Sequence, residues 1–127
     1  MTTMVCFTAS GNAYCLPVAA VRSVGKTDGM VDLPDSAEDV TGILPGNPSL
    51  TVLSPLGAGG SRMLVIESGE TAFGLLVDEV TGLRKIQEAD IRPAPRGQDR
   101  SLVCGTVDPD DGPLLLVVDP IALAGRL

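Results

Sequence analysis

Apolar residues in this chain fall in short runs, each closed by turn residues. Val5–Thr8 and Ala13–Leu16 flank Ala9-Ser-Gly-Asn12, which reads as a hairpin. Pro17 cannot donate to a ladder, so regular pairing should stop there. Further short strands are expected over Met30–Leu33, Val40–Leu44, Leu50–Leu53, Met63–Ile66, Phe73–Val77, Leu102–Val107 and Leu114–Val118. Phe73–Val77 is apolar throughout apart from Gly74, as in a strand buried on both faces. Beyond it the period changes: Val77, Val80 and Leu83 stand three apart, which predicts a helical turn or bend leading to the surface. Val18, Val21 and Val24 repeat that spacing. Helical turns are also expected at Ser36–Asp39, with Asp35 or Ser36 as cap, and at Pro120–Ala124. Pro55–Arg62 and Arg96–Arg100 read as surface loops.

These patterns recur. When Tyr14 is laid on Phe73, Tyr14-Cys-Leu-Pro-Val-Ala-Ala-Val-Arg-Ser-Val24 aligns with Phe73-Gly-Leu-Leu-Val-Asp-Glu-Val-Thr-Gly-Leu83. At a slightly larger offset Thr41-Gly-Ile43 matches Cys104-Gly-Thr106, and at a larger one still Val52-Leu-Ser-Pro-Leu56 matches Val117-Val-Asp-Pro-Ile121. Three matches in order, with a slowly growing offset, indicate a duplicated unit of about 60 residues with loop insertions. Each half supplies about five short strands. Two small barrels sharing or abutting a core would leave no exposed edges.

Composition narrows the chemistry. Of 127 residues 44% are hydrophobic and only Phe7, Tyr14 and Phe73 are aromatic, so the core must be aliphatic. Fifteen glycines and ten prolines suit many tight turns. A net charge of −7 without a basic cluster argues against nucleic acid and anionic membranes. No run approaches the length of a membrane span, and the first residues lack the features of a signal peptide, so a cytoplasmic protein without membrane insertion is expected. Cys6, Cys15 and Cys104 each lie in or beside an apolar run and should be buried, reduced thiols.

Catalytic signatures are absent. Without histidine there is no His-based nucleophile activation or His metal ligation. Gly57-Ala-Gly-Gly60 lacks the Lys-Ser/Thr of a phosphate loop. Asp108-Pro-Asp-Asp-Gly112 is wrongly spaced for calcium and reads as a hairpin turn. Asp78 and Glu79 could form a carboxylate pair for acid–base or metal-assisted chemistry, but adjacent strand residues diverge, and a solvated strand end explains them. The remaining function is binding: the repeated Val-x-x-Val-x-x-(Val/Leu) segments either face the core or form an exposed apolar groove.

The whole pattern resembles the CheW-like family of chemotaxis coupling proteins. The resemblance spans about Val5 to Ala124. It is carried by Tyr14-x-Leu-Pro-Val-x-x-Val-x-x-Val24, Leu33-Pro, Val40-Thr-Gly-Ile-Leu44, Phe73-Gly-Leu-Leu-Val-Asp-Glu-Val-x-x-Leu83, Asp90-Ile-Arg-Pro-Ala-Pro95, and the closing strands around Gly105 and Leu114–Asp119. It implies a mainly β fold of two intertwined five-stranded SH3-like barrels with a few short helical turns, in one domain over 1–127. Barrel 1 would occupy roughly 12–62 and barrel 2 roughly 63–127, with strands exchanged at the ends. It further implies a non-catalytic adaptor, without cofactor or metal, that couples chemoreceptor cytoplasmic tips to the regulatory domain of a CheA-type histidine kinase. Other CheW-like proteins are further partners, in arrays at the membrane.

Carried over from the family, the groove residues would be Val18, Val21 and Leu83, with Val77 beneath. Ser23 and Gly42 fall at partner-contacting positions. The family's Asn-Leu-Arg-Gly is here Ile43-Leu-Pro-Gly46: Gly46 remains, but Pro45 replaces the receptor-contacting arginine. That replacement raises an alternative, an accessory or decoy protein that binds one partner and modulates the array. A small-ligand-binding or metal-assisted barrel enzyme using Asp78 and Glu79 is the remote alternative.

Overall fold

The computed structural model describes residues 1–32, 40–46, 49–57, 62–93 and 102–127. The expected helical turn at Ser36–Asp39, the loop at Arg96–Arg100 and half of the Pro55–Arg62 loop lie outside them. The strands follow in the order β1 (Thr2–Ala9), β2 (Asn12–Pro17), β3 (Val21–Lys26), β4 (Val31–Asp32), β5 (Val40–Leu44), β6 (Leu50–Leu53), β7 (Arg62–Ser68), β8 (Thr71–Val77), β9 (Glu79–Ile86), β10 (Val103–Val107) and β11 (Leu115–Val118). Single turns of 3-10 helix lie at Val18–Ala20 and Glu88–Asp90. A short helix, α1, covers Pro120–Ala124; Asp119 caps it by accepting from the Ile121 N–H at 3.0 Å, and Leu123 anchors it in the core.

The strands form two sheets, in the orders β10-β11-β2-β1-β9 and β3-β7-β8-β6-β5-β4. The duplication is visible in this order. If β1, β2 and β3 correspond to β7, β8 and β9, and β5 and β6 to β10 and β11, the sheets have the same plan. Neither sheet comes from one half. The first combines the β1–β2 hairpin with β9, β10 and β11; the second combines β3 to β6 with the β7–β8 hairpin. A division near Arg62 therefore runs through the second sheet. The long-range parallel pairings repeat as well: β11 runs beside β2 and β6 beside β8.

Irregularities recur too. Arg22 is skipped between the pairs Val21↔Ile66 and Ser23↔Val65, and Thr81 between Phe7↔Val80 and Cys6↔Gly82. Arg22 and Thr81 are equivalent positions of the aligned segments. A second pair of bulges, at Thr41 and Cys104, is equivalent in the same way. The bulges explain the spacing of three that suggested helical turns. After the 3-10 turn that holds Val18, and after the bend at Asp78, the chain is strand; one extra residue per bulge shifts the apolar positions out of the alternating period.

Each sheet curls until its edges meet. Lys26 ends β3 at one edge, and Val31 begins β4 at the other after a short link. Five peptide steps reach about 17 Å at most. In the first sheet, Arg92 follows β9 and exchanges two backbone hydrogen bonds with Thr106 of β10, at 2.9 and 2.8 Å. Glycine permits both closures. A Cβ on Gly42 would sit 2.6 Å from the Val31 carbonyl oxygen, and one on Gly105 2.8 Å from that of Arg92. This gives the sequence match Thr41-Gly-Ile43 to Cys104-Gly-Thr106 its physical reason.

Both hairpins are buried on both faces, as their unbroken apolar runs require. One face of the first sheet, with Met4, Cys6, Cys15, Leu115 and Val117, fills that barrel. Its other face, with Val5, Phe7, Tyr14, Leu16 and Val118, joins a single cluster with Leu64, Ile66, Phe73 and Leu75 of the second sheet. Phe7 and Tyr14 stack within this layer at 5.6 Å between ring centroids. Where the chain crosses between sheets, the Asp78 N–H donates to Thr8 O at 2.8 Å, and Asp78 Oδ2 accepts from the Ser10 N–H at 2.8 Å. Ser10 and Gly11 both have positive φ (49° and 81°), the geometry of a two-residue hairpin turn.

Gly42→Ala and Gly105→Ala should each cost about 1–3 kcal/mol, because rigid backbone opposes the new methyl group. Gly74→Ala should cost less, since the nearest atom is the Sδ of Met63, at 2.9 Å on a flexible side chain. Urea unfolding of the three variants measures the order.

Candidate binding seam

Residues directly opposite in an antiparallel pair share a face. Val80 opposes Phe7, and Leu83 opposes Val5, so both lie on the face of the first sheet that meets the second. By the same rule Val21 and Val24 lie on the face of Ile66 and Leu64. β3 and β9 each form the free edge of a sheet beside the junction. The result is a seam bordered by two equivalent strands. Val21 and Val80 are half-buried and pack against the shared core. Val24 is 52% exposed and Leu83 67%. A depression of about 310 Å³ is lined by Val24, Arg62, Glu79 and Val80, which shows that β3 and β9 border common space.

The expected site residues divide into those that reach solvent here and those that do not. Val18 is exposed in the 3-10 turn at the head of β3, and Ser23 is exposed within that strand. Val77 is fully buried, beneath the seam. Gly42 is buried against the Val31 carbonyl, where it permits barrel closure. Pro45 and Gly46 are exposed just after β5, in the other edge region of the second sheet. Val24, Val80 and Arg62 were not singled out from sequence as site residues. The repeat held the signal for two of them, since Val24 corresponds to Leu83 and Val80 to Val21.

Leu83 also borders a second depression, of about 290 Å³, with Cys6, Ala13 and Pro113. A larger depression, about 820 Å³, lies at the mouth of the first barrel and is lined by charged groups of both signs, including Arg92, Asp90 and Asp110. Arg84 closes its rim through an ion pair to Asp111 at 2.7 Å and holds that carboxyl below its ordinary value.

The cysteines need one correction. Cys6 and Cys15 are buried and Cys104 is exposed; all three are free thiols. Cys104 is the bulged residue of β10, which turns it out of the alternation that buries its neighbours. Its sulfur remains partly sheltered, donating to Val117 O at 3.6 Å, and burial raises its pKa. Burial also raises Cys6, against the opposing pull of Arg84. Cys15 is pushed up to about 12, first by burial and then by Cys6 and Cys104. Asp78 and Glu79 are both exposed, and the Asp78 carboxylate is engaged by the Ser10 N–H. Among the described residues no three Cys, Asp or Glu side chains are grouped to hold a metal ion. Among them, no helix is long and apolar enough to cross a membrane.

In the native protein Cys104 should react first with a thiol reagent such as Ellman's reagent, and Cys15 only on unfolding. Cys15 ionises near 9 when unfolded but near 12 when folded, so its contribution to stability is complete below pH 9 and is lost as pH rises from 9 to 12. Cys15→Ala should flatten the unfolding profile in that window relative to the parent chain.

Comparison with known proteins fits this geometry. The model of the CheW-like domain matches residues 49–127. The crystal structure of the scaffolding protein TtCheW from Thermoanaerobacter tengcongensis superposes with a TM-score of 0.81 at 25% sequence identity, covering 93% of this chain and 84% of that one. No curated protein matches the chain by sequence. The two-sheet plan, the match over more than half of the sequence and the structural likeness agree: the chain belongs to the CheW-like domain family.

Proposed function

We infer that this protein is a non-catalytic adaptor that links the cytoplasmic tip of a chemoreceptor to the regulatory domain of a CheA-type histidine kinase. The observation that carries the reading is the seam. Four apolar residues in equivalent positions, Val21, Val24, Val80 and Leu83, border one junction, and two of them are largely exposed. An exposed apolar strip on a rigid scaffold is a cost unless a partner covers it. A helix presenting apolar residues at i, i+3, i+4 and i+7 fits such a strip, and the seam has the form of a helix-in-groove site. Val18, Ser23, Pro45 and Gly46 extend the proposed contact surface, Val77 supports it from beneath, and Gly42, buried against the Val31 carbonyl, shapes the β4–β5 edge that carries Pro45 and Gly46. Other CheW-like proteins are proposed partners through the barrel ends.

A second reading is favoured by one residue. Pro45 is exposed where the family's receptor-contacting arginine is expected, and it offers neither charge nor an N–H donor. A decoy that engages one partner and reduces coupling would follow from that loss. Kinase assays reconstituted with receptor and a CheA-type kinase separate the two: activation on adding this chain supports coupling, and inhibition supports the decoy.

Val24→Glu and Leu83→Glu should each weaken binding of a receptor-tip fragment by more than about tenfold, since a charge would be buried against apolar surface, while circular dichroism stays unchanged. Val24 is a cleaner probe than Val21, which also packs on the core. Normal binding by both variants contradicts the seam assignment, and binding of the parent chain to neither receptor tip nor kinase domain contradicts the adaptor reading.

A further inference from the structure

Each exchanged strand carries the same set of side chains on its seam face. Val21, Val24 and Lys26 of β3 correspond, in the second copy of the repeat, to Val80, Leu83 and Lys85 of β9. The pairing register places both lysines on that face, and Lys85 also lines the depression at the mouth of the first barrel. Lys26 opposes Arg62, which shares the parity of Leu64 and Ile66; Lys85 opposes Thr3, which shares the parity of Val5 and Phe7. Arg62 itself lines the depression with Val24 and Val80. All three cations are exposed. Among the described residues none of them has a hydrogen-bond or ion-pair partner. Among the described residues Glu79 is the one carboxylate lining that depression, and no ion pair joins it to Arg62. A chain of net charge −7 thus places three cations, unpaired among the described residues, beside an exposed apolar strip.

We propose that Lys26, Arg62 and Lys85 select the occupant of the seam, an amphipathic helix whose apolar stripe is flanked by carboxylates. This rests on the reading of the seam as a docking site and deepens it. The apolar side chains supply contact area, and the rim cations supply attraction to an acidic partner and repulsion of a basic one. The arrangement is unequal at its two ends. Lys26 has Arg62 opposite it, whereas Lys85 has Thr3. A helix with more acidic residues towards one end therefore docks with that end at Lys26 and Arg62. Rim charges act over about 8 Å at physiological salt, so the effect falls as salt rises.

The test measures, by titration calorimetry at low and high salt, the affinity of a chemoreceptor-tip fragment with Glu or Asp beside its apolar stripe. The variants are Lys26→Gln/Arg62→Gln/Lys85→Gln, Lys26→Arg/Lys85→Arg and Val24→Glu, with folding checked by circular dichroism. Removing the three exposed charges should weaken binding about tenfold or more at low salt, as roughly two- to five-fold per charge compounds, and should flatten the salt dependence. The arginine variant should bind as the parent does. A fragment with those carboxylates changed to lysine should bind the parent more weakly than the original fragment. If Val24→Glu abolishes binding while the triple variant binds normally with unchanged salt dependence, the charge-selection proposal is overturned and the docking reading stands. If the parent chain does not bind the fragment at all, both are overturned.

Discussion

The structure depends on two hairpins, β1–β2 and β7–β8, that must bury both faces. Their apolar runs leave no face fit for water, so each hairpin needs a barrel on one side and a partner sheet on the other. Back-to-back packing meets both needs. Phe7 and Leu16 from one hairpin and Leu64, Ile66, Phe73 and Leu75 from the other are almost wholly buried in the shared layer. Truncating a large side chain in such a layer costs about 3–5 kcal/mol, far more than a surface contact contributes. The remaining strands are placed by what these hairpins leave open.

What they leave open is a pair of edges. Each half gives its hairpin to one sheet and its following strand to the other, so β3 and β9 border the same junction from opposite sides. The exchange thereby produces the surface proposed here for docking. Residues that point towards the partner sheet but lie past its edge are only partly covered, and Val24 and Leu83 are the clearest cases. Closure near Gly42 and Gly105 brings the chain across to the far end of each sheet, while the seam keeps Val24 and Leu83 exposed between the two sheets. Fold and site are two consequences of one duplicated pattern.

Much of this was legible in the sequence. The three aligned segments identified the repeat, and the structure places their bulges and glycines at equivalent positions. Strand positions, including Val40–Leu44 and Leu50–Leu53, follow from the apolar runs. The exchange of strands was expected only from the family resemblance and not from the apolar pattern, because strand partners drawn from opposite halves of the chain leave no local periodicity. The bulges blurred the rest: a helical turn or bend was expected, and one stands at Val18–Ala20 and at Asp78, but beyond each the chain is strand, where one inserted residue turns a period of two into an apparent period of three. The exposure of Cys104 was hidden in the same way. Val24 was passed over because a terminal Val in an apolar triplet looks like core until its register is known. The rim lysines were equally silent, since a single Lys at a strand end is ordinary until its counterpart in the other half is found on the same face.

On the proposed reading β3 and β9 form one binding surface. Backbone amide NMR of the isotopically labelled chain, titrated with a chemoreceptor-tip fragment, tests it most directly. The amides that shift should cluster in 21–26 and 79–86, with the barrel interiors unchanged. Shifts confined to the β4–β5 edge and the residues around Pro45, with β3 and β9 silent, would contradict it.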